Sequence, residues 1–237
     1  MSGDGTAAHA SQGPAVATCR IRWAPACRIV PTRYPSVYLY DRVADADDFD
    51  ALYALEALSN DRLRNESGQI ERVPPAQRLF GPGSGPIMAA FTHVNLVGSR
   101  FSAGGHGVFY AAHDRATAVA ETRYHHARFL AATAQAAMHL PMRLDPVNVH
   151  ATLHDLRPAG AVPDAVYHPD DSSAARALGA TLRAAGAAGV VYRSVRRPGG
   201  QNVGLFTPLA ASQCLHAAHL LYIWDGQGFA DVYEKLA

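Results

Sequence analysis

The residues of this 237-residue chain whose types and spacing suit chemistry lie between Gly98 and His126, in GSRFSAGGHGVFYAAHDRATAVAETRYHH. Arg100 sits in a glycine-rich loop, Tyr110 follows ten residues later in an apolar stretch, and Glu121 comes eleven residues after that. Arginine presents a planar fork of donors that matches phosphate oxygens. Tyrosine offers a flat stacking face with a polar tip. Glutamate accepts hydrogen bonds from sugar hydroxyls and stabilises a positive, oxocarbenium-like centre. Cleavage of a charged N-glycoside such as NAD⁺ needs those three functions together. Plainer readings exist for each residue. Arg100 could bond loop carbonyls, Tyr110 could fill a core, and Glu121 could pair with Arg115, Arg123 or Arg128 on an exposed face.

The elements that must position these residues follow from the pattern around them. Val108 to Ala112 is a short apolar strand, and Asp114 can cap a helix from about Arg115 to Ala137. On that helix Ala118, His125 and Phe129 share the face of Glu121, while Val119, His126 and Leu130 form the next stripe. Upstream, Asp47 or Asp48 can cap a helix through Leu58, and Asn60 to Gly85 reads as a long connection. Its end, GPGSGP at Gly81 to Pro86, lacks the spacing of a phosphate loop and reads as a plain turn. Ile87 to Val94 is apolar and fits a strand. Downstream, Asn148 to Asp155, Val190 to Tyr192, Val203 to Phe206 and Leu220 to Trp224 read as strands. Asp170 and Asp171 can cap a helix through Ala185 with Gly186 as its stop, and Asp225-Gly226 signals a hairpin. Short strands interspersed with few helices predict an α+β domain built on a mixed sheet with flanking helices. Residues 1–19 read as a disordered tail and 20–237 as a single domain.

Composition narrows the function classes. Lys and Arg number 21 against 20 Asp and Glu, so the chain has no basic excess for nucleic-acid binding. The apolar runs are too short to span a membrane, and the N-terminus lacks the pattern of a signal peptide, so a cytoplasmic protein is expected. Cys19, Cys27 and Cys214 are odd in number and form no CxxC pair, which argues for reduced thiols. The twelve histidines show no metal-ligand spacing, and no GxSxG elbow suggests a serine hydrolase. No metal is expected.

Three segments together carry a family resemblance: SRFS at Ser99, GVFYAAHDRATAVAETRYH at Gly107, and GVVYRSVRRPGGQNVGLF at Gly189. They resemble the RES domain, a family named for an arginine, a glutamate and a serine, which map onto Arg100, Glu121 and Ser194. The family's tyrosine maps onto Tyr110. The resemblance runs from about Arg28 to Gly226. RYPSVYLYDRVAD, LEALSNDRLR and MAAFTHVN further resemble a longer subset of the family. Short members carry a Gly-Gly-Arg-Trp-Asn loop, whereas here Phe101 and Ser102 follow Arg100.

The resemblance implies a fold similar to ADP-ribosyltransferase toxins and a toxin role in a bacterial toxin-antitoxin pair. It implies NAD⁺ as substrate, consumed by hydrolysis or phosphorolysis, or by transfer of ADP-ribose to a protein. It also implies a small helical, Xre-like antitoxin that plugs the active-site entrance. In that scheme Arg100 holds the pyrophosphate or the nicotinamide ribose, and Tyr110 stacks on nicotinamide. Glu121 binds the ribose and stabilises the oxocarbenium-like transition state. Ser194 contacts NAD⁺ from the far side of the cleft, and Arg33 is a second phosphate ligand with Arg28 and Arg42 as rivals. A catalytically inactive module that only pairs with its antitoxin is the competing reading from another class.

Overall fold

A computed structural model describes residues 16–33, 39–42, 45 and 68–235. The helix expected after Asp47 lies outside them, as does the first part of the connection after Asn60. The described chain is α+β, with one eight-stranded mixed sheet.

The sheet is built on two long strands, β1 (Thr18–Pro31) and β3 (Met138–Asp155). They run antiparallel from Thr18↔His154 to Pro31↔Met142, with a bulge between Trp23 and Ala26. Thr18 and Cys19, read as the end of a tail, are therefore strand residues. β1 also meets β2 (Phe109–Ala112) at Cys27↔Ala112. From β2 the order continues through β5 (Gln201–Leu205) and β4 (Gly189–Arg193) back to β3, so the path β1–β2–β5–β4–β3 closes on itself. Only β3 and β4 pair in parallel. A short β6 (Ala211–Ser212) pairs with β3, and the hairpin β7 (Ala218–Trp224) and β8 (Phe229–Lys235) extends the sheet from the first half of β3. The Asp225 carboxylate accepts the Gln227 and Gly228 amides at that hairpin, as its turn signal predicts.

Among the described residues four α-helices accompany the sheet. A single turn, α1 (Leu39–Arg42), offers the Asp41 carboxylate to the Gly85 amide at 2.6 Å, which starts α2 (Gly85–Thr92). The strand expected at Ile87 to Val94 is thus a helix. Pro86 in its first turn suits helical φ, and Ile87, Met88, Phe91 and Thr92 are buried at helical spacing. A short apolar run such as Ile87 to Phe91 fits either element, and burial against the sheet decides it. GPGSGP is accordingly a turn that runs into this helix, with Gly81 and Gly83 both at positive φ. α3 (Arg115–Ala132) begins as its cap residue predicts: Asp114 is extended and accepts the Thr117 amide at 2.9 Å. It ends five residues earlier than expected, because the Thr133 hydroxyl donates to the Phe129 carbonyl and Ala134 takes a left-handed φ of 48°. α4 (Ser173–Ala184) starts beside Asp171, which accepts the Ser173 amide, and stops at Gly186 with φ 79°.

Three buried clusters share the sheet. α2 packs with Phe109, Val147, Val203 and Leu205. α3 packs through Ala118 and Leu130 with Met142, Tyr222 and Trp224. α4 packs through Ala175 and Leu182 with Phe101, Leu156, Val190 and Tyr192. Burying each large apolar side chain contributes about 1.5–3 kcal/mol. Phe101 therefore pins the loop carrying Arg100 into the third cluster. Gly179 on α4 permits this approach, since a Cβ there would lie 2.4 Å from the Phe101 carbonyl oxygen. Among the described residues no helix is long and apolar enough to cross a membrane.

Candidate active site

β2 and β5 lie side by side, with Ala112 opposite Asn202, and α3 starts three residues after β2. This places the second turn of α3 over the β5 residues that face it. Glu121 is 20% exposed in its side chain. Its Oε1 accepts two hydrogen bonds of 2.7 Å, one from the Ser194 hydroxyl and one from the Asn202 amide. Asn202 is buried in β5, and Ser194 opens the loop that follows β4. The exposed ion-pairing face considered for Glu121 is therefore not what the fold makes. Arg115 instead pairs with Glu234, and Arg128 with Asp170. The Glu121 Oε2 is left toward His125, whose Nε2 stands 4.0 Å away one helical turn on.

The carboxylate opens onto a cleft with a volume of about 610 Å³, within the usual size of a small-molecule site. Arg28, Arg100, Arg128, Arg176 and Arg196 line it, against the carboxylates of Glu121 and Asp170. The cleft is thus electropositive in a chain whose formal net charge is only +1, and an anion with a cationic head would suit it.

Arg100 donates to the carbonyls of Val166 (3.1 Å) and His168 (3.3 Å). Its guanidinium is thus held by the 3₁₀ turn Asp164–Tyr167 and the residue after it, while the side chain still faces the cleft. Tyr110 also lines the cleft, but its hydroxyl points into the Arg100 loop, meeting the Ser99 hydroxyl at 2.9 Å and accepting the Phe101 amide at 3.0 Å. Burial pushes its phenol up to about 12, above the lowering effect of those two bonds, so the group stays protonated. Tyr110 is therefore a positioning residue for Arg100 as well as a cleft wall. Phe101 packs edge-on to Tyr192 with ring centroids 5.0 Å apart.

Ser194 accepts the Arg196 and Arg197 amides at 3.1 Å each while donating to Glu121. It does not line the cleft and instead borders a neighbouring depression with Tyr167 and Gly200. Its place in the geometry is to orient the glutamate and the loop behind it, and contact with substrate from the far side is not what it is placed for. Of Arg28 and Arg33, Arg28 borders the cleft, but its guanidinium is buried against the core and not presented to the cleft. It stacks 4.4 Å over Phe109 and donates to the Tyr110 carbonyl at 3.0 Å. Arg33, the favoured candidate, sits past the end of β1 with its guanidinium 5.9 Å over Phe129 and is not among the lining residues. The side chain of Arg42 lies outside the described residues.

Two parts of the site escaped sequence reasoning. Asn202 is one, although a lone amide inside the apolar run NVGLF is a legible sign of a buried hydrogen bond. The other is a clamp at the cleft mouth. Tyr124 donates to Asp170, Arg196 stacks 3.2 Å over the Tyr124 ring, and Arg196 also donates to the Pro169 carbonyl. The Arg196 Nε is buried with no partner among the described residues. Among the described residues, no group of three His, Cys, Asp or Glu side chains is placed to hold a metal ion.

Comparison with known proteins agrees with the motif reading. The chain is 28% identical over 210 residues to the uncharacterized protein y4oC of Sinorhizobium fredii (strain NBRC 101917 / NGR234), covering 87% of this chain and 85% of that protein. Among solved structures it is similar to the M. tuberculosis MbcT-MbcA toxin-antitoxin complex, at 15% identity and a TM-score of 0.44, covering 91% of this chain and 86% of that one. The family model described as RES domain matches residues 75–225, which include Arg100, Tyr110, Glu121 and Ser194. The chain belongs to the RES domain family.

Proposed function

We propose that this chain is the toxin of a toxin-antitoxin pair and cleaves NAD⁺ at the nicotinamide–ribose bond, passing ADP-ribose to water or phosphate. One observation carries the reading: a carboxylate with one oxygen fixed by two donors and the other turned to an arginine-lined cleft. Nicotinamide leaves as a neutral group, so its departure needs little acid catalysis. What the site must do is hold the dinucleotide and stabilise positive charge growing on the ribose. Glu121 supplies the opposing negative charge. Arg100 and Arg196 suit the pyrophosphate, and the Tyr110 ring suits the nicotinamide. Its partner would be a small helical antitoxin seated over the cleft entrance, and NAD⁺ consumption would take place in the cytoplasm.

A protein acceptor is the second reading. Leu96 (78% exposed) and Val97 (81% exposed) stand apolar beside the cleft, and Val97 lines it. Such a rim suits a docked protein. Purified protein is to be incubated with NAD⁺, with and without inorganic phosphate, and nicotinamide and ADP-ribose products followed. NAD⁺ loss that vanishes in Glu121→Gln supports the reading, and the product names the acceptor. NAD⁺ loss only when a protein is present moves the reading to the transferase. Equal turnover in Glu121→Gln refutes the role of the glutamate.

A further inference from the structure

Glu121 and His125 lie one turn apart on the cleft face of α3. The two donors from Ser194 and Asn202 both engage Oε1, so Oε2 is the oxygen available to a ligand. Between Oε2 and the His125 Nε2 the gap is 4.0 Å, too long for a direct hydrogen bond. A single oxygen about 2.8 Å from both atoms fits there, with an angle at that oxygen of roughly 90°. Among the described residues no hydrogen bond engages the imidazole of His125, which is 68% exposed in its side chain within the open cleft.

We propose that this gap receives the acceptor oxygen, and that His125 is the general base that deprotonates it. This rests on the NAD⁺-cleaving reading of the site. As the bond between the ribose C1′ and the nicotinamide nitrogen breaks, its electron pair stays with the pyridine ring, which becomes neutral. The acceptor oxygen, from water, forms the new bond to C1′. Its proton passes to the His125 Nε2, and the imidazolium then returns it to solvent. Glu121 remains ionised throughout, facing both the cationic ribose and the acceptor.

The surroundings of His125 keep the imidazole neutral and so able to take a proton. Desolvation lowers its pKa first. Glu121 opposes that, and the guanidiniums of Arg196, Arg100 and Arg128 lower it further. These groups come from three elements: Arg128 from α3 itself, Arg100 from the loop before β2, and Arg196 from the loop after β4. The Tyr124 ring lies edge-on at 5.4 Å, and its hydroxyl is bonded to Asp170.

The test separates deprotonation from simple ligand holding. Wild type, His125→Asn, His125→Gln and Glu121→Gln are assayed for nicotinamide release with water as acceptor and with added azide, an anion that has no proton to lose. With water, both His125 variants should be slower by about 10²-fold or more, the usual size of general-base catalysis. With azide they should recover to within a few-fold of wild type under the same conditions, while Glu121→Gln stays slow with both. The wild-type rate with water should also fall on acidification, and that limb should vanish in the His125 variants. Equal losses with water and azide would make His125 a ligand-holding residue and overturn the proposal. No loss with either would overturn it too. Wild type that releases no nicotinamide with either acceptor would sink the NAD⁺ reading itself, an outcome distinct from the other two.

Discussion

The amide of Asn202 is predicted to matter nearly as much as the carboxylate it holds. Asn202→Ala removes one of the two 2.7 Å bonds to the Glu121 Oε1 and leaves Ser194 as sole donor. A hydrogen bond to a charged group contributes about 1.5–3 kcal/mol net. Glu121 is 20% exposed, so water can replace part of the loss, and about 1.5–2 kcal/mol is the reasonable share. If the carboxylate must keep that orientation in the transition state, 1.36 kcal/mol per decade converts this to about a 10- to 30-fold fall in kcat. KM for NAD⁺ should change little, because the arginines are untouched. Steady-state nicotinamide release would read both constants, with thermal melting as the check on folding. The same bond should cost roughly 3–8 °C in Tm for a chain of this size. Ser194→Ala should be more damaging, since Ser194 also accepts two amides in the loop behind it. The double variant should approach Glu121→Gln rather than multiply the single effects, as groups acting through one carboxylate do. A folded Asn202→Ala protein within twofold of wild type, beside an inactive Glu121→Gln, would refute this account of the site.

Three further outcomes are expected. Tyr110→Phe keeps the cleft wall but removes the hydroxyl that ties Ser99 to the Phe101 amide. It should cost about 1–3 kcal/mol in chemical denaturation and raise KM more than it lowers kcat. Gly179→Ala forces a Cβ toward the Phe101 carbonyl at 2.4 Å, so it should destabilise by about 1–3 kcal/mol and raise KM by shifting the Arg100 loop. A neutral effect in melts and kinetics would show that α4 does not brace that loop. The His126 pKa is lowered to about 4 by burial first and by Arg33 and His125 after it. The unfolded chain binds this proton near pH 6.5, so stability is fully present above that value and is lost as pH falls toward 4. Denaturant titrations at pH 7 and 5 should show a smaller acid loss in His126→Gln than in wild type, and equal losses would reject the assignment.

The β2–α3 unit was legible because its signals are local. An apolar strand, an Asp cap and a helical stripe lie within 25 residues, and the cap bond forms as read. α2 reads as a strand because its apolar run, Ile87 to Phe91, is too short to carry a helical period, and only the Gly85-Pro86 start distinguishes helix from strand. β1 escaped notice because Pro25 and four arginines, at 20, 22, 28 and 33, blur its alternation in and around the strand. Its pairing with β3 is a long-range fact, as are the Arg100 contacts, which reach carbonyls 66 and 68 residues away. Motif resemblance brought Glu121 and Ser194 into one site, and the fold makes them hydrogen-bonded neighbours. It could not say that Ser194 serves the glutamate, nor that Arg33 stands away from the cleft, because both depend on how distant segments meet in the fold.

The central place of β5 in the sheet has a consequence for the order of synthesis. β2 and β4 both take their antiparallel partner from Gln201–Leu205, and Glu121 takes a donor from Asn202. A nascent chain that stops before Gln201 carries the arginine loop, the tyrosine and the glutamate, yet leaves the ring of strands open and the carboxylate without that donor. Translation therefore passes through most of its length before an active cleft exists. A ribosome that stalls or terminates early releases a fragment in which the proposed site is incomplete.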